Sequence, residues 1–204
     1  AIKLIKGDFY GGLSLLDRAV DVFRQQGDVS RLAMTLIRCS SGHRYIGDYS
    51  KSLQNIDEVL QLIEGNDDLQ SLYAEALHVK GSTLYRSGQT RQSLNYFEQS
   101  LEILVRLNEA INIPDLLNEI GMVHQTLGNY PEAEHTYMRA LKIWKQDANL
   151  WAQSILLNNV GNMYHQEGEY EKAEHAYEDG LLCARRSGHT RSEALISIGL
   201  GDLY

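Results

Sequence analysis

The sequence predicts an all-α fold, an α-α superhelix of about five antiparallel helical hairpins. Three observations carry that expectation. A related string recurs five times along the chain at a spacing of 40 or 41 residues. Within each recurrence apolar residues fall three and four apart, the period of amphipathic helices that pack on one another. Only two prolines interrupt 204 residues, and both fall where a helix would begin.

The repeats can be taken in order. The first opens at Gly7 with GDFYGGLSLLDRAV, and six residues precede it, too few for a whole helix. In the second, TLIRCSSGHRYI leads into GDYSKSLQNIDEVL from Gly47. The third pairs ALHVKGSTLYRS with GQTRQSLNYFEQSL from Gly88, and the fourth pairs LLNEIGMVHQTL with GNYPEAEHTYMRAL from Gly128. The fifth pairs LLNNVGNMYHQE with GEYEKAEHAYEDGL from Gly168, and LISIGLGDLY begins a sixth. Each unit therefore holds two helices, of about 16 to 18 residues if each connection takes about four. The glycine between them suits the left-handed position that closes a helix. Asp8, Asp48, Asn129 and Glu169 follow it, where an acceptor meets free backbone donors. Pro114 and Pro131 lie in first turns, where a missing donor costs nothing.

Small and bulky residues alternate at fixed register. The fifth repeat reads Gly161, Tyr164, Gly168, Tyr170, Ala173, Tyr177 and Gly180. The fourth reads Gly121, His124, Gly128, Tyr130, Ala133, Tyr137 and Ala140. The third offers Gly81, Leu84, Ser93, Phe97 and Ser100, and the second Ser40, Ser52, Ile56 and Val59. Small residues on facing helices let backbones approach, and a bulky neighbour fills the space beside them. A lone hairpin cannot bury both faces, so neighbours in the stack supply stability.

This pattern resembles the tetratricopeptide repeats. The resemblance covers essentially the whole chain. The period of 40 exceeds the usual 34 or so, and no proline closes the second helices. Together with the linkers QQGDVSR, EGNDDLQS, QDANLWAQ and RSGHTRSE, this is similar to a long subclass. Its members include the sensor arms of maltose-activator-type bacterial transcription regulators, Pins-type adaptors and kinesin light chains. Residues 1–204 are expected to form one helical-repeat domain cut from a longer protein. Its apolar ends would favour self-association of the isolated piece.

Composition narrows the function. A formal charge of −8 opposes direct contact with nucleic acid. Cys39 and Cys183 stand in no CxxC pair, so neither a disulfide framework nor a zinc knuckle is argued, and a cytoplasmic setting is expected. No apolar run reaches the roughly 20 residues of a membrane span, and AIKLIKGDFY has no signal-peptide core. The seven histidines fall in no HExxH or Cys/His cluster, and no GxSxG, GxxxxGKS or GxGxxG turn occurs. His124 stands where Tyr164 and Tyr204 stand in sister repeats, as a packing surrogate. No catalytic residue, metal site or cofactor is expected. Trp144 falls at an apolar second-helix position and Trp151 in the linker QDANLWAQ.

The resemblance implies that the exposed stripe of the first helices lines a concave binding face. That stripe comprises Ile37, Arg38, Arg44 and Tyr45, then Glu75, His78, Ser82, Tyr85 and Arg86, then Asn118, Glu119, Met122 and Gln125, then Asn158, Asn159, Asn162, His165 and Gln166. The candidate partner-binding residues are Arg38, Arg44, His78, Tyr85, Asn118, Glu119, Met122, Gln125, Asn158, Asn159, Asn162 and His165. An asparagine presents a donor and an acceptor together, matching an extended peptide backbone. Amides on a helix equally serve to bond neighbouring helices. The expected function is a non-catalytic module binding a protein, a peptide or a small effector, as the sensing region of a large bacterial transcription regulator. Two alternatives are a eukaryotic-type scaffold for a linear motif and an accessory domain of an enzyme whose site lies elsewhere.

Overall fold

The computed structural model describes residues 9–204, and within them the chain is helical apart from its turns. Ten α-helices follow one another among the described residues: α1 Phe9–Gln26, α2 Val29–Tyr45, α3 Tyr49–Leu62, α4 Gln70–Arg86, α5 Thr90–Arg106, α6 Ile113–Thr126, α7 Tyr130–Gln146, α8 Leu150–Glu167, α9 Tyr170–Ser187 and α10 Thr190–Gly201. The expected first turn at Gly7 and Asp8 lies outside the described residues. The chain divides after Glu109 into two compact units. The first holds α1 to α5 and the second α6 to α10.

The turns form where glycine permits them. Gly128 and Gly168 sit at φ of +77° and +85°, a left-handed conformation in which any Cβ meets its own backbone. At the second of these the Gly168 N–H donates to the His165 carbonyl at 3.1 Å and the Glu169 N–H to the Tyr164 carbonyl at 2.9 Å. Those bonds satisfy carbonyls that the helix end would otherwise leave open. Where a linker lacks glycine, Asn108 and Ala148 take φ of +55° and +52°, at about 1 kcal/mol for the alanine.

Capping differs from the expectation. Asp48 accepts from the Lys51 N–H at 3.1 Å, but the Asn129 and Glu169 side chains cap nothing. Pro131 removes one of the two donors an Asn129 cap would meet, and the Glu169 carboxylate turns instead to Lys172 Nζ at 3.3 Å. The caps absent from the expectation lie in the linkers, where Asp28 holds the Arg31 N–H at 2.9 Å and Asn149 the Ala152 N–H at 3.1 Å.

The third, fourth and fifth hairpins each close on a glycine facing a ring. A Cβ built on Gly81 would stand 2.6 Å from Phe97 Cδ1. On Gly121 and Gly161 it would stand 2.5 Å from Cδ1 of Tyr137 and Tyr177. All three rings are fully buried, which is worth about 2 to 3 kcal/mol each in apolar burial. The second repeat has Ser40 in place of the glycine, and its chemistry changes accordingly. Ser40 Oγ donates to the Ser52 carbonyl at 2.9 Å, and the Ser52 hydroxyl lies 2.8 Å from Ser40 Oγ and 2.9 Å from Thr83 Oγ1. Thr83 in turn donates to the Val79 carbonyl at 2.8 Å. This buried chain links α2, α3 and α4 without an orphaned hydroxyl.

Trp144 is buried as expected, and its carbonyl accepts from Gln153 Nε2 at 2.8 Å. Trp151 is not in a linker. Only Asp147 to Asn149 separate α7 from α8, and Trp151 occupies the first turn of α8, half exposed and edge-on to His189 at 5.8 Å.

Candidate functional site

The two units hold different parts of the expected stripe. In the first unit Arg38 on α2 is exposed and Arg44 is half-buried. On α4, His78 and Tyr85 are half-buried, and His78 stands edge-on to Phe97 at 5.8 Å. Two residues counted into the stripe do not belong to it, because Ile37 and Ser82 are 2% and 3% exposed and face the core. The buried face is wide on both helices there, running through Leu36, Ile37, Cys39 and Ser40 on α2 and through Gly81, Ser82, Thr83 and Leu84 on α4. Lys80 is held from two sides in this unit, its ammonium 2.7 Å from Asp57 and 4.5 Å above the Tyr96 ring. Burial alone would lower that ammonium's pKa, but Asp57 and Tyr96 outweigh it and hold it above the ordinary lysine value.

The second unit gathers the amides. Asn118, Glu119, Met122 and Gln125 on α6 are half-buried, as are Asn158, Asn159, Asn162 and His165 on α8. Asn159 Nδ2 donates to Asn118 Oδ1 at 2.9 Å, and Gln125 Nε2 donates to Gln166 Oε1 at 2.9 Å. The partners are 41 residues apart in each case, one more than the period of 40 between Gly121 and Gly161, so each amide bonds the residue just past its counterpart in the next repeat. Two phenols join from the second helices. Tyr137 Oη donates to Gln125 Oε1 at 2.8 Å and Tyr177 Oη to Asn162 Oδ1 at 2.7 Å. Rings that fill the core thus orient the amides above them.

This network saturates some groups and leaves others open. Gln125 uses both its donor and its acceptor. Asn118 accepts one bond and retains its NH2, Asn159 donates one and retains its carbonyl, and Asn162 retains its NH2. The retained groups alternate donor and acceptor across α6 and α8. His165, beside them, tilts against the Tyr170 ring at 5.7 Å.

A second bond between repeats was not anticipated from the sequence. Tyr164 Oη donates to Glu134 Oε1 at 2.7 Å, and Tyr204 Oη likewise to Glu174. Both pairs are 30 residues apart, and their recurrence at the repeat period is the signal that was available. Burial first, and the Glu134 bond next, push the Tyr164 phenol above its ordinary pKa. His124, at the Tyr164 position, has Nδ1 buried without a hydrogen-bond partner. No group of three His, Cys, Asp or Glu among the described residues could hold a metal ion. No helix among them is long and apolar enough to cross a membrane.

Known proteins resemble this chain in sequence and in fold. Two tetratricopeptide-repeat family models match residues 112–181 and 74–111, and a model of anaphase-promoting complex subunit 5 matches residues 1–79. A mitochondrial tetratricopeptide repeat protein 19 homolog of Drosophila melanogaster is 27% identical over 119 residues, which is 54% of this chain and 32% of that protein. The photosystem I assembly protein Ycf3 of Rippkaea orientalis is 30% identical over 105 residues, 51% of this chain and 58% of that protein. The chain thus spans about a third of the first relative and somewhat over half of the second. Among solved structures, apo RapI superimposes with a TM-score of 0.89 at 17% identity, over all of this chain and 74% of that one. The Rap conjugation gene regulator of plasmid pLS20, solved with a Phr peptide, gives 0.77 at 18%, over 97% of this chain and 54% of that one. A signal transduction ATPase with a tetratricopeptide-repeat sensor from Pyrococcus horikoshii gives 0.80 at 20%, over 97% of this chain and 31% of that one.

Proposed function

Given that this chain is built of tetratricopeptide repeats and is a protein-interaction module, we propose that it takes an extended peptide segment of a partner along its first helices. The observation that carries the reading is the amide network of α6 and α8. Bonds between repeats and from buried tyrosines fix Asn118, Asn159 and Asn162 in place. Little rotamer entropy is then left for a ligand to freeze, and such preorganisation favours affinity. The open donors and acceptors match a peptide backbone rather than one side chain. Glu119, Met122, Asn158 and His165 flank that row in the second unit. Arg38, Arg44, His78 and Tyr85 supply a separate, more cationic stretch of the first unit. The solved complex of a Rap regulator with a peptide supports the reading as an example of the same fold in that use.

In its parent protein the module serves as the sensing region of a multidomain regulator, non-catalytic itself, with the partner's binding passed to adjoining domains. The likeness to the sensor of the Pyrococcus signal transduction ATPase supports this. A scaffold reading, in which the module holds subunits of an assembly together, is favoured by the match of residues 1–79 to anaphase-promoting complex subunit 5.

The test is a selection of extended peptides from a random displayed library, followed by titration of the best binder against Asn158→Ala/Asn159→Ala. Loss of about tenfold or more in affinity with the melt retained is expected. Unchanged affinity, or a selection that yields only helical binders, would sink the reading.

A further inference from the structure

The outer face of α7 differs from its sister helices in a way that packing does not explain. Ten residues after each turn glycine the chain has Asp17, Asp57, Glu98, Met138 and Glu178. Fourteen residues after, it has Asp21, Gln61, Glu102, Lys142 and Leu182. Seventeen after, it has Arg24, Glu64, Val105, Lys145 and Arg185. The intervening apolar position stays constant, with Leu60, Leu101, Leu141 and Leu181 in the last four repeats. The core register is therefore preserved, while only in the fourth repeat are the charged residues at these positions all basic.

On α7 these positions fall at i, i+3, i+4 and i+7, one face of a helix. Leu141 forms a floor at 6% exposure, and Met138 lies above it at 37%. Lys142, Lys145 and Gln146 complete an open depression of about 450 Å³. Basic groups next to or on sister faces are paired, since Lys80 meets Asp57 at 2.7 Å, Arg185 meets Glu193 at 2.9 Å, and Arg24 meets Glu58. Neither Lys142 nor Lys145 has a carboxylate within salt-bridge distance among the described residues. Two unneutralised lysines therefore flank an exposed thioether in a chain whose formal charge is −8.

We infer that this face of α7 is a docking surface for an acidic amphipathic helix of a partner protein. An apolar ridge of such a helix would lie on Met138 and Leu141, and its flanking carboxylates would meet Lys142 and Lys145. Methionine suits the contact because its flexible, polarizable chain adapts to varied apolar partners. A nucleic-acid backbone would use the lysines and leave the Met138 and Leu141 surface without a role. The site is separate from the amide row of α6 and α8 and does not depend on the reading given to that row.

The probe is a fluorescein-labelled synthetic helix of about 18 residues, five turns, with leucines along one face and glutamates beside them. It is titrated against the whole chain by fluorescence anisotropy. Saturable binding is expected, weakened about tenfold or more by Lys142→Glu/Lys145→Glu and by Met138→Glu, and weakened by added salt. Asn158→Ala/Asn159→Ala should leave it unchanged. Lys142→Gln/Lys145→Gln is the fallback should charge reversal disturb folding, and it too should weaken binding. The inference is overturned if the peptide does not bind, or if the lysine and Met138 variants bind like the wild type. It is overturned equally if a peptide with serine for leucine, or a single-stranded oligothymidylate, binds as tightly with the same lysine dependence.

Discussion

Gly161→Ala should destabilise the chain even though alanine is the better helix former, and the size of the effect follows from the clamp around Tyr177. An added Cβ would stand 2.5 Å from Tyr177 Cδ1 and 2.9 Å from Cγ, whereas carbon atoms pack at about 3.5 to 4.0 Å. The ring would have to move by about 1 Å. It has nowhere to go, because a Cβ on Gly199 of α10 would lie 2.7 Å from Cζ on its other side. The ring is also fully buried, and its hydroxyl is held by Asn162 at 2.7 Å. Overpacking of this kind costs about 3 kcal/mol at the upper end, and replacing a mid-helix glycine returns about 1. The net loss is about 2 kcal/mol, or about 4 to 8 °C in melting temperature for a chain of this length. Thermal and urea melts followed by far-ultraviolet circular dichroism measure it. Gly201→Ala is the control, since nothing lies within 4 Å of its added Cβ, and it should stay within about 0.5 kcal/mol of the wild type. A Gly161→Ala chain as stable as the wild type, or more stable, would refute the clamp.

Other perturbations test the remaining physics. Ser52→Ala removes the middle of the buried hydroxyl chain and should cost about 1 to 2 kcal/mol, whereas Ser93→Ala, which loses only a local bond to the Thr90 carbonyl, should cost less; equal effects would argue against the chain. Gly168→Ala should cost about 1 kcal/mol through its φ of +85° alone, with Gly168→Asn recovering part of it; no difference between the two would contradict a backbone origin. His43 is buried with both ring nitrogens unbonded. Burial first and Lys51 next hold its pKa below the ordinary value, against Asp48 and Asp17. The unfolded chain then takes up a proton that the folded chain resists, so its contribution is complete above about pH 6.5 and is lost as the pH falls below that toward the folded pKa. Melts of His43→Phe should lack this part of the slope, and identical acid slopes in the two chains would remove His43 as its cause.

The hairpins were legible because their signals are local and repeated. Each turn glycine from Gly47 to Gly168 adopts the backbone that only glycine accepts cheaply, and each ring faces the small residue it was matched with. The errors fall where a side chain chose among partners by geometry. Glu169 turned to Lys172 instead of a backbone donor, and Trp151 joined α8 because Asn149, three residues past the end of α7, caps that helix early. Ile37 and Ser82 went inward because α2 and α4 are covered on more than one face, so their buried arcs are wider than a single apolar stripe. For the candidate surface, the residue types were legible in the sequence but their bonding was not. Asn118 and Asn159 are 41 residues apart, a separation at which only the stacking of repeats decides that one amide reaches the other. The Tyr177 bond to Asn162 likewise depends on how far a buried ring protrudes past its glycine.

The amides of α6 and α8 are the groups proposed to meet a peptide backbone. Side-chain NH2 resonances of Asn118, Asn158 and Asn162, followed by NMR during titration with a selected extended peptide, report on that contact directly. Saturable shifts of those resonances at the same midpoint as binding are expected, with the Gln125 NH2, already committed to Gln166, moving less. Binding that leaves all of them in place, with shifts confined to the second helices, would contradict the proposal.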